Sequence, residues 1–194
     1  MNIPEKNPEA LLIDIARGTP WFMNALSAVE TLGLDSWCIG AGAVRNLAWD
    51  YLHGFKVPSS LPDIDVAYFD AEYPDRHDEA ALQEKLSVLM PEIPWEVTNQ
   101  ASVHCWFEQY FGQRVEPFVS LENAVASWPE YATSVGITLA RDGSLKVIAP
   151  HGLDDLFSMT VRRNPCRVSI ETYHQRIVQK RYAQRWPLVQ IVHV

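Results

Sequence analysis

The central segment of the sequence reads Ile39-Gly40-Ala41-Gly42-Ala43-Val44-Arg45-Asn46. An apolar run, residues 37–39, precedes the glycines, and apolar residues at helical spacing follow them, so the pattern predicts a strand, a tight turn and a helix. Glycines at such a turn let the backbone approach a phosphate closely, and free N–H groups at a helix start attract anions. The segment lacks the third glycine of a dinucleotide fingerprint and the Gly-Lys-Ser/Thr ending of a P-loop. It therefore predicts an anion-binding turn of another kind.

A pair of aspartates follows on the next predicted strand, which reads Asp63-Ile64-Asp65-Val66-Ala67-Tyr68-Phe69. Alternation along this strand places Asp63 and Asp65 on one face and apolar residues on the other. Like charges at this spacing repel each other, and aspartate has a low strand propensity. The pair therefore predicts a bound divalent cation, which takes oxygen ligands. A solvated face near a sheet edge is the alternative, because the pattern is short and common.

The rest of the chain mixes helices and strands without regular βαβ alternation, which is typical of an α+β fold. Helices are predicted within 8–32, 78–90, 102–111 and 169–185, a strand at 95–98, and a hairpin across 135–149. We expect a small mixed β-sheet flanked by helices in one domain, 1–194. Its catalytic core would span about 1–118, and a C-terminal extension of helix and hairpin would span about 119–194.

Composition narrows the class of protein. Hydrophobic residues make up 47% and charged residues 21%, which are ordinary values for a soluble domain. No apolar run approaches the roughly 20 residues that cross a bilayer, and the N-terminus lacks a secretory pattern, so we expect a cytoplasmic protein without a membrane partner. The net charge of −8 disfavours broad, non-specific nucleic-acid binding. Three cysteines stand far apart, which predicts buried or half-buried free thiols.

The glycine turn, the helix and the strand with two aspartates together resemble the nucleotidyltransferase superfamily of polymerase-beta type. Residues 40–46 look like the GGxVRD form of tRNA-nucleotidyltransferase and poly(A)-polymerase relatives, with Ala41 in place of the first glycine and Asn46 in place of the usual aspartate. From about residue 21 to 189 the chain is similar to one bacterial family of predicted nucleotidyltransferases. The segments that carry this closer similarity are residues 42–46, 63–66, 97–101 with His104, 149–156 and 185–187.

The resemblance implies a nucleotidyltransferase fold with a metal site. In that superfamily a third acidic residue comes from a neighbouring strand, and Glu96 is the candidate here, with Glu116 and Glu92 as alternatives. The other interpretation of Glu96 is an exposed glutamate on an edge strand with no ligand. Asp63, Asp65 and Glu96 would then be the catalytic residues and hold two Mg²⁺ or Mn²⁺ ions. The candidate nucleotide-binding residues are Gly40, Gly42, Arg45, Asn46, Asn99 and Gln100. For Asn99 and Gln100 the alternative is capping of the next helix, and for Arg45 it is a structural salt bridge.

The implied reaction moves a nucleoside monophosphate from a nucleoside triphosphate such as ATP to an acceptor and releases pyrophosphate. The acidic charge favours a small molecule or a protein as acceptor. A basic final helix with Arg176, Lys180 and Arg181 leaves tRNA as a further candidate for the acceptor. The alternative is that this helix presents a solvated face. The alternative function is a catalytically silent module that binds a nucleotide or a protein. The paired aspartates favour the enzyme, and the altered glycine motif favours the module.

Overall fold

The computed structural model describes residues 7–72 and 76–194. Its main element is a five-stranded mixed sheet with the strand order β3-β2-β1-β4-β5. Strands β2 and β3 run parallel, and the other neighbours run antiparallel. The strands are β1 (Trp37–Gly40), β2 (Ile64–Tyr68), β3 (Trp95–Asn99), β4 (Gly136–Leu139) and β5 (Leu145–Ile148). Two short strands that the sequence pattern did not predict, β6 (Thr160–Val161) and β7 (Gln190–Ile191), pair in parallel beside it.

Helices flank the sheet, as predicted. They are α1 (Pro8–Arg17), α2 (Pro20–Glu30), α3 (Ala41–Leu52), α4 (Arg76–Leu89), α5 (Val103–Phe111), α6 (Leu121–Val125), α7 (Asp154–Phe157), α8 (Ile170–Lys180) and α9 (Tyr182–Arg185). The prediction of one final helix across 169–185 is wrong, because Arg181 adopts the left-handed conformation with φ of 51° and ends α8 there. Across residues 7–72 and 76–194, every helix is too short or too polar to traverse a bilayer.

The main hydrophobic core lies between α1, α2, α3 and one face of the sheet. Ile64 and Val66 of β2 are buried in it, as the alternation of that strand predicted. The end of the chain returns to α3, where the Trp49 ring packs edge-on against Trp186 at 5.2 Å and Tyr182 at 6.0 Å between centroids. These aromatic contacts fix the C-terminal residues against the helix that follows the glycine turn.

Cysteine burial differs from the prediction. All three cysteines are free, but only Cys38 is buried, whereas Cys105 and Cys166 are exposed. Cys38 points away from the main core, into a smaller cluster with Ala67 of β2.

The register of the central strands sets up a row of residues across the sheet. Asp65 of β2 pairs with Glu96 of β3. Gly40 of β1 comes directly after the Ile39–Val66 pair, so it lies at the level of Asp65, and it pairs with Gly136 on its other side. In a sheet, registered neighbours present their side chains on the same face. The row therefore places the glycine turn, the aspartates and Glu96 side by side.

Candidate functional site

A cavity of about 370 Å³ opens where α3 begins, beside the row of acidic residues. We call it the polar lobe and define it by its lining residues. These include Ala41, Gly42, Arg45, Asp63, Asp65, Glu96, Thr98, Gln100, Trp106, Trp128, Thr133, Arg176 and Lys180. The structure thus brings Asp63 and Asp65 to one cavity, and that cavity also contains the glycine turn.

The carboxylates of the polar lobe come from two neighbouring strands. Asp65 is half-buried on β2, Asp63 precedes that strand, and Glu96 is exposed on β3. Burial raises the pKa of Asp65 to about 7, and the charges of Asp63 and Glu96 act in the same direction. Lys180 and Arg45 act in the opposite direction. Among the residues that the structure describes, no three His, Cys, Asp or Glu side chains converge as a preformed metal site.

The two glycines of the turn play different parts. Gly42 lines the polar lobe, and a Cβ there would meet only the Arg45 guanidinium, at 3.7 Å. Gly40 is buried and does not line the lobe, and a Cβ there would lie 2.4 Å from Cη2 of Trp128. Gly40 therefore makes room for the indole that forms one wall of the lobe. Between the glycines, Ala41 holds a left-handed φ of 48°, a conformation that costs a residue with a Cβ about 1 kcal/mol or more.

Arg45 is a fixed cation at the inner wall of the polar lobe, with only 3% of its surface exposed. Its guanidinium lies 5.1–5.5 Å from the ring centroids of Trp49, Tyr182 and Trp186. One Nη donates to Oδ1 of Asn46 at 2.7 Å, whereas the buried Nε has no hydrogen-bond partner among the described residues. Burial lowers the pKa of Arg45. Asn46 is buried behind the arginine and orients it, and does not line the cavity.

Helix α8 supplies the opposite wall of the polar lobe. Arg176 donates from Nε to the carboxylate of Glu130 at 2.7 Å and from Nη2 at 3.1 Å. Burial acts to raise the pKa of Glu130, but the hydrogen bonds and charge of Arg176 outweigh it and hold that pKa below its usual value. Lys180, one turn further along α8, also lines the lobe, while Arg181 is exposed. The basic helix therefore does not present a purely solvated face.

Of the remaining predicted site residues, some line the polar lobe and others hold the surrounding loops in place. Gln100 lines the polar lobe. Asn99 is fully buried, caps the short 3₁₀ turn after β3, and exchanges hydrogen bonds with the backbone of Asp70 at 2.8 and 3.0 Å. It therefore supports the loops and does not face the cavity. Glu92 and Glu116 are exposed and lie outside the lining, which leaves Glu96 as the acidic side chain beside Asp65.

Lys180 and Trp128 also line the polar lobe, although neither was among the predicted site residues. The four-residue spacing of Arg176 and Lys180 places them on one face of a helix, and that spacing was a usable signal for Lys180. No local pattern connects Trp128 to Gly40, because 87 residues separate them. With fixed cations on one side and acidic residues on the other, the polar lobe is suited to a polyphosphate held through divalent cations.

Comparisons with known proteins agree with this geometry. A family profile described as nucleotidyltransferase matches residues 27–191. A structure whose description reads "The NMR structure of the protein reveals a CCA-adding enzyme head domain" superposes with a TM-score of 0.81 and 25% identity, over 100% of this chain and 99% of that one. A complex of a tRNA-processing enzyme superposes with a TM-score of 0.52 and 18% identity, over 87% of this chain and 43% of that one, which shows the fold alone. No curated protein matches the chain. The predicted nucleotidyltransferase fold is confirmed.

Proposed function

We propose, from the premise that the chain belongs to the nucleotidyltransferase family, that this enzyme transfers a nucleoside monophosphate from a nucleoside triphosphate to an acceptor and releases pyrophosphate. Divalent cations, Mg²⁺ or Mn²⁺, would assist the transfer. One observation carries the proposal: Asp63 and Asp65 line the same cavity as the N-terminus of α3. Two carboxylates and a helix start in one cavity suit a cation and a polyphosphate together.

The triphosphate would lie against the α3 side of the polar lobe. Backbone N–H groups at the helix start, near Ala41 and Gly42, favour anions. Arg45 adds a buried positive charge that lines the lobe, and Lys180 adds a second charge from α8. Because phosphate oxygens are strong acceptors, charge-assisted hydrogen bonds from these donors would fix the leaving pyrophosphate.

The residues present fit a divalent cation. Mg²⁺ prefers oxygen ligands and is usually held by one or two carboxylates together with substrate phosphates, so three converging side chains are not required. The pKa of Asp65 near 7 shows a carboxylate whose charge the surrounding protein does not fully compensate. A cation shared by Asp63 and Asp65 would supply that compensation, with Glu96 as the third ligand from β3. When bound, such ions polarise the nucleophile and stabilise the negative charge that develops on the phosphates.

The contribution of the chain itself is mainly positioning. The row across the sheet puts the start of α3 at the end of β1, the aspartates at β2 and Glu96 at β3. We call the start of α3 the phosphate anchor, since the proposal assigns the triphosphate to it. A nucleophile beside Glu96 and a leaving group beside α3 would then lie roughly in line across the α-phosphorus, which is the arrangement that phosphoryl and nucleotidyl transfer require. Glu96 is exposed, so its carboxylate is free to meet an acceptor that enters from solvent.

The test is pyrophosphate release from labelled nucleoside triphosphates with Mg²⁺ or Mn²⁺ and a panel of acceptors. We expect Asp63→Asn and Asp65→Asn each to reduce release at least about a hundredfold. Asp35→Asn is the matched control, because that carboxylate is 97% exposed and lies outside the lobe. Equal release by the site variants and the wild type would refute the assignment. Metal-dependent nucleotide binding without release under any acceptor would support the silent binding module instead.

A further inference from the structure

A second cavity, of about 340 Å³, continues from the polar lobe. The two cavities share a boundary that contains Glu96, Thr98 and Trp128. We call the second cavity the aromatic lobe. Phe107, Phe111, Phe118 and Arg167 line this cavity and not the polar lobe, whereas Trp106 and Trp128 line both. Its lining lacks both aspartates of the polar lobe and the residues proposed to contact the triphosphate, which are Ala41, Gly42, Arg45 and Lys180. Among the three acidic residues of the site, it therefore meets Glu96 alone.

The position of the aromatic lobe follows from the strand order. The phosphate anchor lies at the end of β1, Asp65 lies on β2, and Glu96 lies on β3 at the edge of the sheet. The aromatic lobe takes Glu96 and Thr98 from β3 and several aromatic side chains from α5, and Trp128 closes it on the side of β1, next to Gly40. In an in-line transfer the nucleophile and the leaving group occupy opposite sides of the α-phosphorus. With pyrophosphate at the α3 side, the nucleophile comes from the side of the aromatic lobe.

The walls of the aromatic lobe combine flat apolar surfaces with two guanidinium groups, those of Arg167 and Arg176, and Arg176 is already paired with Glu130. The rings of Phe107 and Phe111 lie 4.5 Å apart between centroids. The Arg167 guanidinium lies 3.7 Å from the ring centroid of Phe118 and donates to the backbone carbonyl of Glu116 at 2.5 Å. Its Nη1 has no hydrogen-bond partner among the described residues. The lobe thus offers aromatic faces, a carboxylate at its junction with the polar lobe, and the positive charge of Arg167.

Resting on the proposed function, we propose that the aromatic lobe is the acceptor site and that its acceptor is a small planar aromatic molecule with a hydroxyl group and an anionic group. Rings stack on the aromatic walls, the anion meets Arg167, and the hydroxyl group meets Glu96. The volume is near the lower end of the range for small-molecule sites, about 300–1,000 Å³. A single small molecule fits that volume.

The hydroxyl oxygen of the acceptor bonds to the α-phosphorus of the nucleoside triphosphate, and its proton passes to the Glu96 carboxylate. The bond between the α-phosphorus and the oxygen that bridges it to the β-phosphorus breaks, and that oxygen leaves with its electron pair as part of pyrophosphate. The products are a phosphodiester between the nucleoside monophosphate and the aromatic molecule, and pyrophosphate.

The experiment uses 6-hydroxy-2-naphthoate as the probe. Its binding is measured by ligand-observed NMR in a buffer that contains Mg²⁺ and no Mn²⁺, first without and then with a non-hydrolysable ATP analogue. Two further probes separate the contributions: 2-naphthol lacks the anion, and 6-hydroxyhexanoate lacks the ring. We expect Phe111→Ala to weaken binding of the naphthoate about fivefold. Arg167→Gln should weaken it about tenfold or more but leave 2-naphthol unchanged.

Matched controls lie on the same surface. Tyr110 precedes Phe111 on α5, is likewise exposed, and packs its ring on a neighbouring aromatic side chain, yet lies outside the aromatic lobe. Tyr110→Ala should therefore bind the naphthoate as the wild type does. Arg114→Gln removes an exposed charge that is also outside the lobe, and it should have no effect.

The outcomes separate the acceptor proposal from the proposed function. If the wild type binds the ATP analogue with Mg²⁺ but not the naphthoate, or if Phe111→Ala and Arg167→Gln bind it normally, the acceptor site is refuted and the nucleotide site stands. If the ATP analogue displaces the naphthoate, the lobe holds the nucleotide base, which also refutes the acceptor site. If the naphthoate binds and the analogue does not, the proposed function fails and the acceptor role fails with it.

Discussion

Asp65 is a carboxylate whose negative charge the metal-free fold accommodates poorly, so replacing it should stabilise the protein while removing its function. Its pKa rises from an ordinary 3.8 to about 7 in the folded state, first because of burial and then because of Asp63 and Glu96. The folded protein therefore binds the proton of the Asp65 carboxyl group more tightly than the unfolded chain does. The free energy of unfolding that comes from this tighter proton binding is fully present below pH 3.8 and is lost as the pH rises through 7.

The size of the effect follows from the pKa difference. About three pKa units correspond to roughly 4 kcal/mol between the fully protonated and fully ionised limits. Asp65 is half-buried, and water that reaches it reduces the cost, so we expect Asp65→Asn to stabilise the metal-free protein by about 2 kcal/mol at pH 8. For a chain of this length, that free energy corresponds to a rise in Tm of about 4–8 °C.

The assay is thermal unfolding followed by circular dichroism at pH 4 and pH 8, with a chelator present. The gain from Asp65→Asn should be clear at pH 8 and shrink to below about 1 kcal/mol at pH 4, where the carboxyl group is protonated in the fold. Asp35→Asn is the control and should change little at either pH. A missing gain at pH 8, or a gain that persists at pH 4, would refute the electrostatic reasoning.

Three further substitutions test the turn and the cations. Gly40→Ala should destabilise the fold by about 2 kcal/mol in chemical denaturation, because the new Cβ would overlap the Trp128 ring. Ala41→Gly should raise stability by about 1 kcal/mol in the same measurement, because it relieves the left-handed φ. Lys180→Gln should weaken binding of a fluorescent nucleoside triphosphate about tenfold, whereas Arg181→Gln, which removes an exposed charge, should not.

Neighbours on α3 provide controls for the two turn substitutions. Gly42→Ala should be tolerated, since its Cβ would meet only a guanidinium at 3.7 Å. Ala43→Gly should lower stability, since Ala43 is buried in the first turn of a regular helix. Equal losses from the alanine substitutions at both glycines, or a loss from Ala41→Gly, would contradict the account of the turn.

Local patterns in the sequence predicted the central strands and most helices. The alternation of Ile64 and Val66 with Asp65 predicted the buried face of β2 and the acidic face opposite, because a strand has a side-chain period of two. The start of α3 was also predicted from a local pattern, because the spacing of apolar residues becomes helical directly after Gly40. The predicted boundary near residue 118, between a catalytic core and a C-terminal extension, stays a prediction. Strand β4 comes after that boundary in the sequence and pairs with β1, which comes before it.

Features that depend on distant contacts were not predictable. Gly40 was interpreted as a phosphate contact, but its lack of a side chain accommodates Trp128, and no local pattern records that contact. Asn99 was left between capping and ligand binding. Its Oδ1 accepts from the Ala101 N–H as a cap, and the bonds with the distant Asp70 backbone, which no local pattern predicts, hold its side chain away from the cavity. The break at Arg181 occurs without glycine or proline, where tertiary packing of α9 overrides the helical pattern.

The central claim is that Asp63 and Asp65 share divalent cations with a bound polyphosphate. Electron paramagnetic resonance of Mn²⁺, titrated into the protein with and without a non-hydrolysable nucleoside triphosphate, measures this directly. We predict tight Mn²⁺ binding that requires the nucleotide in the wild type and is lost in the double variant Asp63→Asn/Asp65→Asn. Nucleotide-dependent Mn²⁺ binding that survives in the double variant would contradict the claim.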